Sequence, residues 1–309
     1  MSRRRAAPIN ATRSRPKDCP TTNRRGPPRH EFINRLAMRT TGWLVLLLGT
    51  IGSVLPASAQ PSASPDTARV SPPTADAEAS SPLQRGMLRE TSLFYVVDGS
   101  TTLHNLPEAD TPTGRLSMRT PVTRLKCPGE RCRVRTDEGR VGYVAASALS
   151  NVWIHVSKAE RRVYLYRGST LVSTFEADMA YNPLADKKRS GGEGRRDHWR
   201  TPEGAFYVVH KNPQSRFYKA LVLNYPKVKD ARRGLESGLI SRSQYQAIKR
   251  AQDELRMPPM NTDLGGWIEI HGDGTGDGTA WTRGCVAVRN SVMDVLWEQV
   301  RVGTPVLVE

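Results

Sequence analysis

No apolar run in this chain reaches the roughly 20 residues that a membrane span requires. The longest, Gly42 to Leu55, ends in Pro56-Ala57-Ser58-Ala59. It therefore reads as a secretory signal peptide cleaved between Ala59 and Gln60, with no stable membrane anchor left afterwards. No cysteine follows that site, which excludes lipid attachment there. Met38 directly precedes Arg39 and the apolar run, so it is expected to be the true start, with residues 1–37 an over-extended reading. Nor does any helix-turn-helix or aromatic RNA-binding strand accompany the formal charge of +16. Residues 1–59 hold eleven basic and two acidic side chains, and the rest holds 35 against 28. The excess charge is largely a property of the leader, and nucleic acid is not expected as a partner.

The glycine-rich segment Gly272 to Gly278 lacks the Lys-Ser/Thr of a phosphate-binding loop and the ligand positions of an EF-hand. A single copy is too little for a calcium-binding repeat. A mobile loop is expected there, with no metal and no cofactor. Cysteine is sparse: beyond Cys19 in the leader there are Cys127, Cys132 and Cys285. The first two flank Pro128-Gly129 at a predicted hairpin tip, and in an oxidising compartment they are expected to form a local disulfide. A metal at that tip would need two more ligands, and His104 alone does not supply them.

What the chain does contain falls into segments. Residues 60–92 are rich in Pro, Ser, Ala and Thr and poor in large apolar side chains, a composition expected for a disordered linker. Residues 93–150 carry short alternating runs such as Phe94-Val97, Val122-Leu125 and Val141-Val144, which read as the strands of a small barrel. From Asn151 onward further strands are predicted at Trp153-Val156, Val163-Tyr166, Leu171-Phe175, Ala205-Val208, Trp267-Ile270 and Pro305-Val308. His155 is expected to be half-exposed. Lys187 to Gly192 reads as a charged, solvated loop. Ser241 and Gln244 form a capping box that opens a helix. The 227–262 insertion that contains it suits a lid over a cleft or a packing support equally. A second helix is expected from Asn290 as N-cap, burying Val292, Val295, Leu296 and Val300.

Between Ile270 and Asn290 lies the stretch richest in chemistry: His271-Gly272, the glycine loop, then Trp281-Thr282-Arg283-Gly284-Cys285-Val286. A thiol is mostly protonated at neutral pH, and an adjacent imidazole activates it. Gly284 lets a carbonyl approach the backbone. A buried structural cysteine and a strand-end histidine satisfy the same residues.

The pattern His-Gly, a spacer, Thr-x-Gly-Cys and an apolar residue resembles the signature of the L,D-transpeptidases with a YkuD-like catalytic domain. Thr201-Pro202-Glu203-Gly204-Ala205-Phe206 is similar to a second element of that family, and Asn212 to Phe217 and Leu221 to Pro226 to others. Two positions depart from it: Arg283 stands where many members have histidine, and Ala287 where many have arginine. Gly139-Arg140-Val141-Gly142-Tyr143-Val144 resembles the end of a bacterial SH3-like domain. These resemblances imply a mainly β protein: leader 1–59, linker 60–92, an SH3-like barrel at 93–150 and a YkuD-like β-sandwich with a few helices at 151–309. They imply an exported enzyme of the periplasm or cell envelope that forms 3→3 cross-links between peptidoglycan stem peptides. Cys285 would be the nucleophile, His271 the base, and the Gly272 carbonyl the orienting group. Arg283 and Gly284 would supply the oxyanion hole, with Trp281 and Thr282 binding substrate. A carboxypeptidase on the same stems, or a non-catalytic wall-binding protein, are the alternatives. Every proposed catalytic group follows residue 151, so the barrel is expected to be dispensable for acylation.

Overall fold

A computed structural model describes residues 92–108 and 111–309. The expected start at Met38, the signal peptide and all but the last residue of the linker lie outside the described residues. Two main sheets organise the described residues. The first contains β1 (Leu93–Val96), β2 (Ser100–His104), β3 (Pro112–Ser117), β4 (Pro121–Lys126), β5 (Arg131–Thr136), β6 (Val141–Ala145) and β7 (Leu149–Ser150). Its strand order is β3-β2-β6-β5-β4-β1-β7, and among the described residues no pairing of β3 with β7 closes it into a barrel. Alternation puts Leu103, Leu116, Val122, Val134 and Val144 on one buried face. Cys127, just after β4, and Cys132, in β5, are disulfide-bonded across the turn.

The second sheet draws on β8 (Val152–Ser157), β9 (Arg162–Arg167), β10 (Thr170–Glu176), β12 (Gly204–Ser215), β13 (Tyr218–Leu223), β14 (Glu269–His271), β16 (Val286–Ala287) and β17 (Pro305–Val308). They run in the order β10-β9-β8-β17-β12-β13-β14-β16, and short β11 (Met179–Ala180) pairs separately with β15 (Ala280–Thr282). The architecture is thus mixed α/β, with sheets supported by α1 (Val228–Glu236), α2 (Arg242–Asp253) and α3 (Asn290–Gln299). No helix among the described residues is long and apolar enough to cross a membrane.

Several local expectations change. Helix α1 was not legible because Lys229, Asp230, Arg232 and Arg233 mask its one apolar stripe. It is capped by Asp230, whose carboxylate accepts from the Lys227 N–H at 3.0 Å. The Ser241–Gln244 capping box forms as the sequence suggests. In α3 the cap position is Arg289 rather than Asn290, and Met293, Leu296 and Val300 are buried while Val295 is exposed. Asn290 instead turns its amide to Asp273, accepting from its N–H at 2.7 Å. His155 is buried, not half-exposed.

The two sheets are not independent. Leu93, Tyr95 and Val97 of the first pack on Trp153, Tyr164, Tyr166 and Leu307 of the second. The Trp153 and Tyr166 rings stack at 4.3 Å between centroids. Buried Tyr95 donates its hydroxyl to the Val152 carbonyl, and burial pushes that phenol up to about 12. Arg119 donates to the Gly303 carbonyl at 3.3 Å. Each large side chain in this contact contributes about 1.5–3 kcal/mol of burial. Deleting residues 1–150 is therefore expected to lower the melting temperature of the remainder by at least ~10 °C, or to prevent its folding. Thermal denaturation followed by circular dichroism checks this, and an unchanged transition would show that the contact contributes nothing.

Candidate active site

His271 ends β14, and Cys285 immediately precedes β16. The two strands pair in parallel, Ile270 beside Val286 and His271 beside Ala287. That pairing places the thiol and the imidazole together although the residues between them form a loop. Both side chains are fully buried. Nδ1 of His271 lies 2.7 Å from the carbonyl oxygen of Gly272, which fixes the ring and leaves Nε2 as the nitrogen able to accept a proton. Nε2 is buried without a well-aligned hydrogen-bond partner. Burial disfavours the imidazolium, but the neighbouring Cys285 thiol, Glu269 and the Gly272 carbonyl outweigh it and raise the His271 pKa. The thiol of Cys285 donates to the Trp267 carbonyl at 3.4 Å.

The turn that carries Cys285 is tightly determined. Gly284 has φ +146°, and a Cβ there would lie 2.8 Å from the Arg200 carbonyl oxygen and 2.9 Å from Ile268. Its glycine is required by this internal packing as well as by any approaching ligand. Thr282 is fully buried; its hydroxyl donates to the Cys285 carbonyl at 2.6 Å and accepts from the Gly284 N–H at 3.3 Å. Thr282 thus braces the turn from inside. The Arg283 carbonyl accepts from Lys187 Nζ at 3.2 Å, and Lys187 is fully buried. The expectation of a solvated loop at Lys187 is corrected by this placement. Arg233 of α1 holds the same segment, donating to the Lys187 carbonyl at 2.6 Å and to Asp186 at 3.0 Å. The insertion therefore supports the nucleophile turn from behind.

Aromatic side chains close the front. Phe217, from the β12–β13 hairpin, stacks on His271 with centroids 4.4 Å apart and buries against Cys285. Trp281 stands edge-on to His271 at 6.2 Å. Its indole N–H donates to Asp178 at 2.8 Å. Asp178 also accepts from the Thr275 N–H (2.7 Å), the Thr275 hydroxyl (2.7 Å) and the Thr279 N–H (3.0 Å). The glycine loop is therefore tied down, not mobile as its composition suggests. Among the described residues no group of three or more His, Cys, Asp or Glu side chains is placed to hold a metal ion.

The structure thus gathers Cys285, His271, Gly272, Trp281, Arg283 and Gly284 at one place, with Thr282 buried beneath them. The disulfide of Cys127 and Cys132 belongs to the other sheet. Sequence reasoning missed Asp178, Phe217, Lys187 and Glu269. A signal for two of them existed: Asp178 and Glu269 are lone acids inside apolar runs, Ala177 to Ala180 and Ile268 to Ile270.

Burial raises the Asp178 pKa, but the bonds from Trp281, Thr275 and Thr279 outweigh it and hold the carboxyl below the ordinary aspartate value. Its stabilisation is therefore present above that ordinary value and is lost as pH falls through the lowered one. Asp178→Ala leaves four donors unsatisfied and is expected to cost about 3 kcal/mol or more. Denaturant unfolding at neutral pH measures the loss. The acid-induced fall in stability should also be shallower in the variant; equal stability of both proteins would remove Asp178 from this role.

A family model described as the L,D-transpeptidase catalytic domain (YkuD) matches residues 151–308. No curated protein matches the chain. Among solved structures, it is similar to an L,D-transpeptidase from Xylanimonas cellulosilytica at 16% identity, covering 52% of this chain and 61% of that one, with a TM-score of 0.32. A Bdellovibrio bacteriovorus structure is 24% identical over 53% of this chain and 49% of its own, with a TM-score of 0.35. An L,D-transpeptidase from Mycobacterium smegmatis is 14% identical over 75% of this chain and 88% of its own, with a TM-score of 0.31. The chain thus spans about half to three-fifths of the first two structures, and likenesses of this degree carry no argument about activity.

Proposed function

Because the chain belongs to the L,D-transpeptidase (YkuD) family, we propose that it transfers peptidoglycan stem peptides through a thioester on Cys285. The observation that carries this reading is the pairing of β14 with β16, which sets the buried thiol beside an imidazole whose far nitrogen is engaged 2.7 Å from the Gly272 carbonyl. A backbone carbonyl in that position does what a carboxylate does in other triads: it selects the tautomer and favours the imidazolium.

The donor is a tetrapeptide stem. The Cys285 thiolate attacks the carbonyl of the third residue, and the N–H groups of Arg283, Gly284 and Cys285 receive the developing oxyanion. The Gly284 N–H exchanges its 3.3 Å contact with Thr282 for this stronger charged acceptor. Lys187, behind the turn, keeps the Arg283 carbonyl turned away from the attacked carbon. His271 returns its proton to the departing D-alanine amine. An amine of a second stem then resolves the thioester as a 3→3 cross-link. Phe217 covers the thiol in the resting protein, so donor binding displaces it and Trp281 forms the remaining wall. The first sheet, read as an SH3-like domain, belongs to the same exported protein of the cell envelope.

Incubation with purified tetrapeptide muropeptide, followed by mass spectrometry of the products, tests the reading. Cross-linked dimers are expected, whereas tripeptide alone would mean that water is the acceptor and the protein is a carboxypeptidase. Cys285→Ser should abolish turnover, since the hydroxyl has a far higher pKa than the thiol. His271→Ala should lower it by at least ~10²-fold. Dimers formed by Cys285→Ser would rule out this nucleophile.

A further inference from the structure

Along residues 268–271 the side chains alternate. Ile268 and Ile270 enter the core, and Glu269 shares the opposite face with His271. Glu269 is only 6% exposed. The charges acting on it come from three elements: Cys285 on the turn before β16, His271 on its own strand and Arg216 on the β12–β13 hairpin. Its cross-strand neighbour on β13 is apolar Val222. A carboxyl group desolvated to this extent is costly, and it sits where the reacting thiol and imidazole meet.

We propose that Glu269 is the second proton carrier of acyl transfer, giving a proton to the departing amine and taking one from the incoming ammonium. The inference rests on the reading of Cys285 as the nucleophile. It follows from counting protons. An amine leaves the donor amide as an ammonium and reaches the thioester as one, so two protons move at each half-reaction, and His271 carries one. Once the Cys285 thiol has passed its proton to His271, the reacting site holds a thiolate, an imidazolium and a carboxylic acid. The thiolate forms the C–S bond and the C–N bond breaks. The nitrogen receives one proton from His271 and one from Glu269, and departs as an ammonium. A thioester, a neutral imidazole and a carboxylate remain. The acceptor ammonium gives one proton to Glu269, attacks as the neutral amine, and gives its second proton to His271 as the C–S bond breaks. The starting state returns, and total charge is the same throughout.

The electrostatics support this cycle. Burial first, then the Cys285 thiolate, push Glu269 up to about 8, so the resting carboxyl is protonated at neutral pH. Acylation removes the thiolate's repulsion together with the smaller, opposite influence of the imidazolium, and the balance favours the carboxylate at the stage where an ammonium arrives. Water makes a smaller demand. It passes one proton to His271 and keeps the other on the product acid.

The experiment measures how a thioester formed from the tetrapeptide muropeptide partitions between aminolysis and hydrolysis. Taking the ratio of products cancels any effect of a substitution on acylation. Two acceptors are compared: the stem's diamino-acid amine, which arrives as an ammonium, and hydroxylamine, which is neutral at neutral pH. In the full-length Glu269→Gln variant the ratio for the stem amine should fall by about 10²-fold, a usual general-base contribution. With hydroxylamine it should stay within about threefold of wild type, since one proton no longer needs a carrier. Glu269→Asp should recover part of the stem-amine ratio, and it provides the same comparison if the glutamine variant does not fold. An equal fall for both acceptors, or no fall for either, overturns the proposal. If the wild-type protein forms no thioester at all, the fault lies with the Cys285 assignment, and the inference falls with it.

Discussion

The parallel pairing of β14 with β16 is the constraint on which the site depends. Parallel neighbours cannot be joined by a tight hairpin, and the usual connection is a helix. Here the connection is residues 272–285, a glycine-rich loop and a short strand. It begins at the proposed base and ends at the proposed nucleophile. Its β15 stretch finds a ladder partner in β11, but the glycine-rich part lies outside any strand, and there a buried side chain must supply partners. Asp178 does so, accepting two loop N–H groups, a hydroxyl and the Trp281 indole. One carboxylate thereby shapes the loop and sets Trp281 beside His271.

Support from behind complements that arrangement. The turn at Arg283 and Gly284 rests on the Arg200 carbonyl and on buried Lys187. Lys187 is held by Arg233 and so by the inserted helices. Three segments distant in sequence therefore converge on one short turn. Such overdetermination holds the turn before the proposed nucleophile in one conformation. In front, Phe217 packs on the buried thiol, and the low local dielectric strengthens charge interactions among Cys285, His271 and Glu269.

Much of this was legible in the sequence. Period-two alternation marks β2, β5 and β6, which have one face in an apolar core, whereas β8, β9 and β17 read as short apolar runs because both of their faces are buried. The capping box at Ser241 is local chemistry and reads directly. His271, Gly272 and Cys285 stood out because His-Gly, a spacer and Thr-x-Gly-Cys resemble the L,D-transpeptidase signature. What stayed hidden depends on long-range contact. Lys187 is followed in sequence by Lys188 and Arg189, yet it is buried and donates to a carbonyl 96 residues away. Asp178 turns a glycine run that reads as mobile into an ordered loop from 97 residues upstream. Helix α1 is stabilised by packing against Ile240, Ile248 and Leu264 rather than by its own charged sequence. The sheet of residues 93–150 also reads as a separable unit, yet Tyr95 and its neighbours bury against Trp153 and Leu307.

The central claim is that Cys285 is a nucleophile activated by His271, and a carbapenem tests it most directly. Its strained ring offers an acyl group to a thiolate without requiring an acceptor or a glycan. After exposure of the intact protein to the drug, mass spectrometry should find one added drug mass per chain, and peptide mapping should place it on the fragment containing Cys285. The Cys285→Ser protein should gain nothing. An adduct on another residue, or no adduct on a folded wild-type protein, would return Cys285 to the rank of a buried structural thiol.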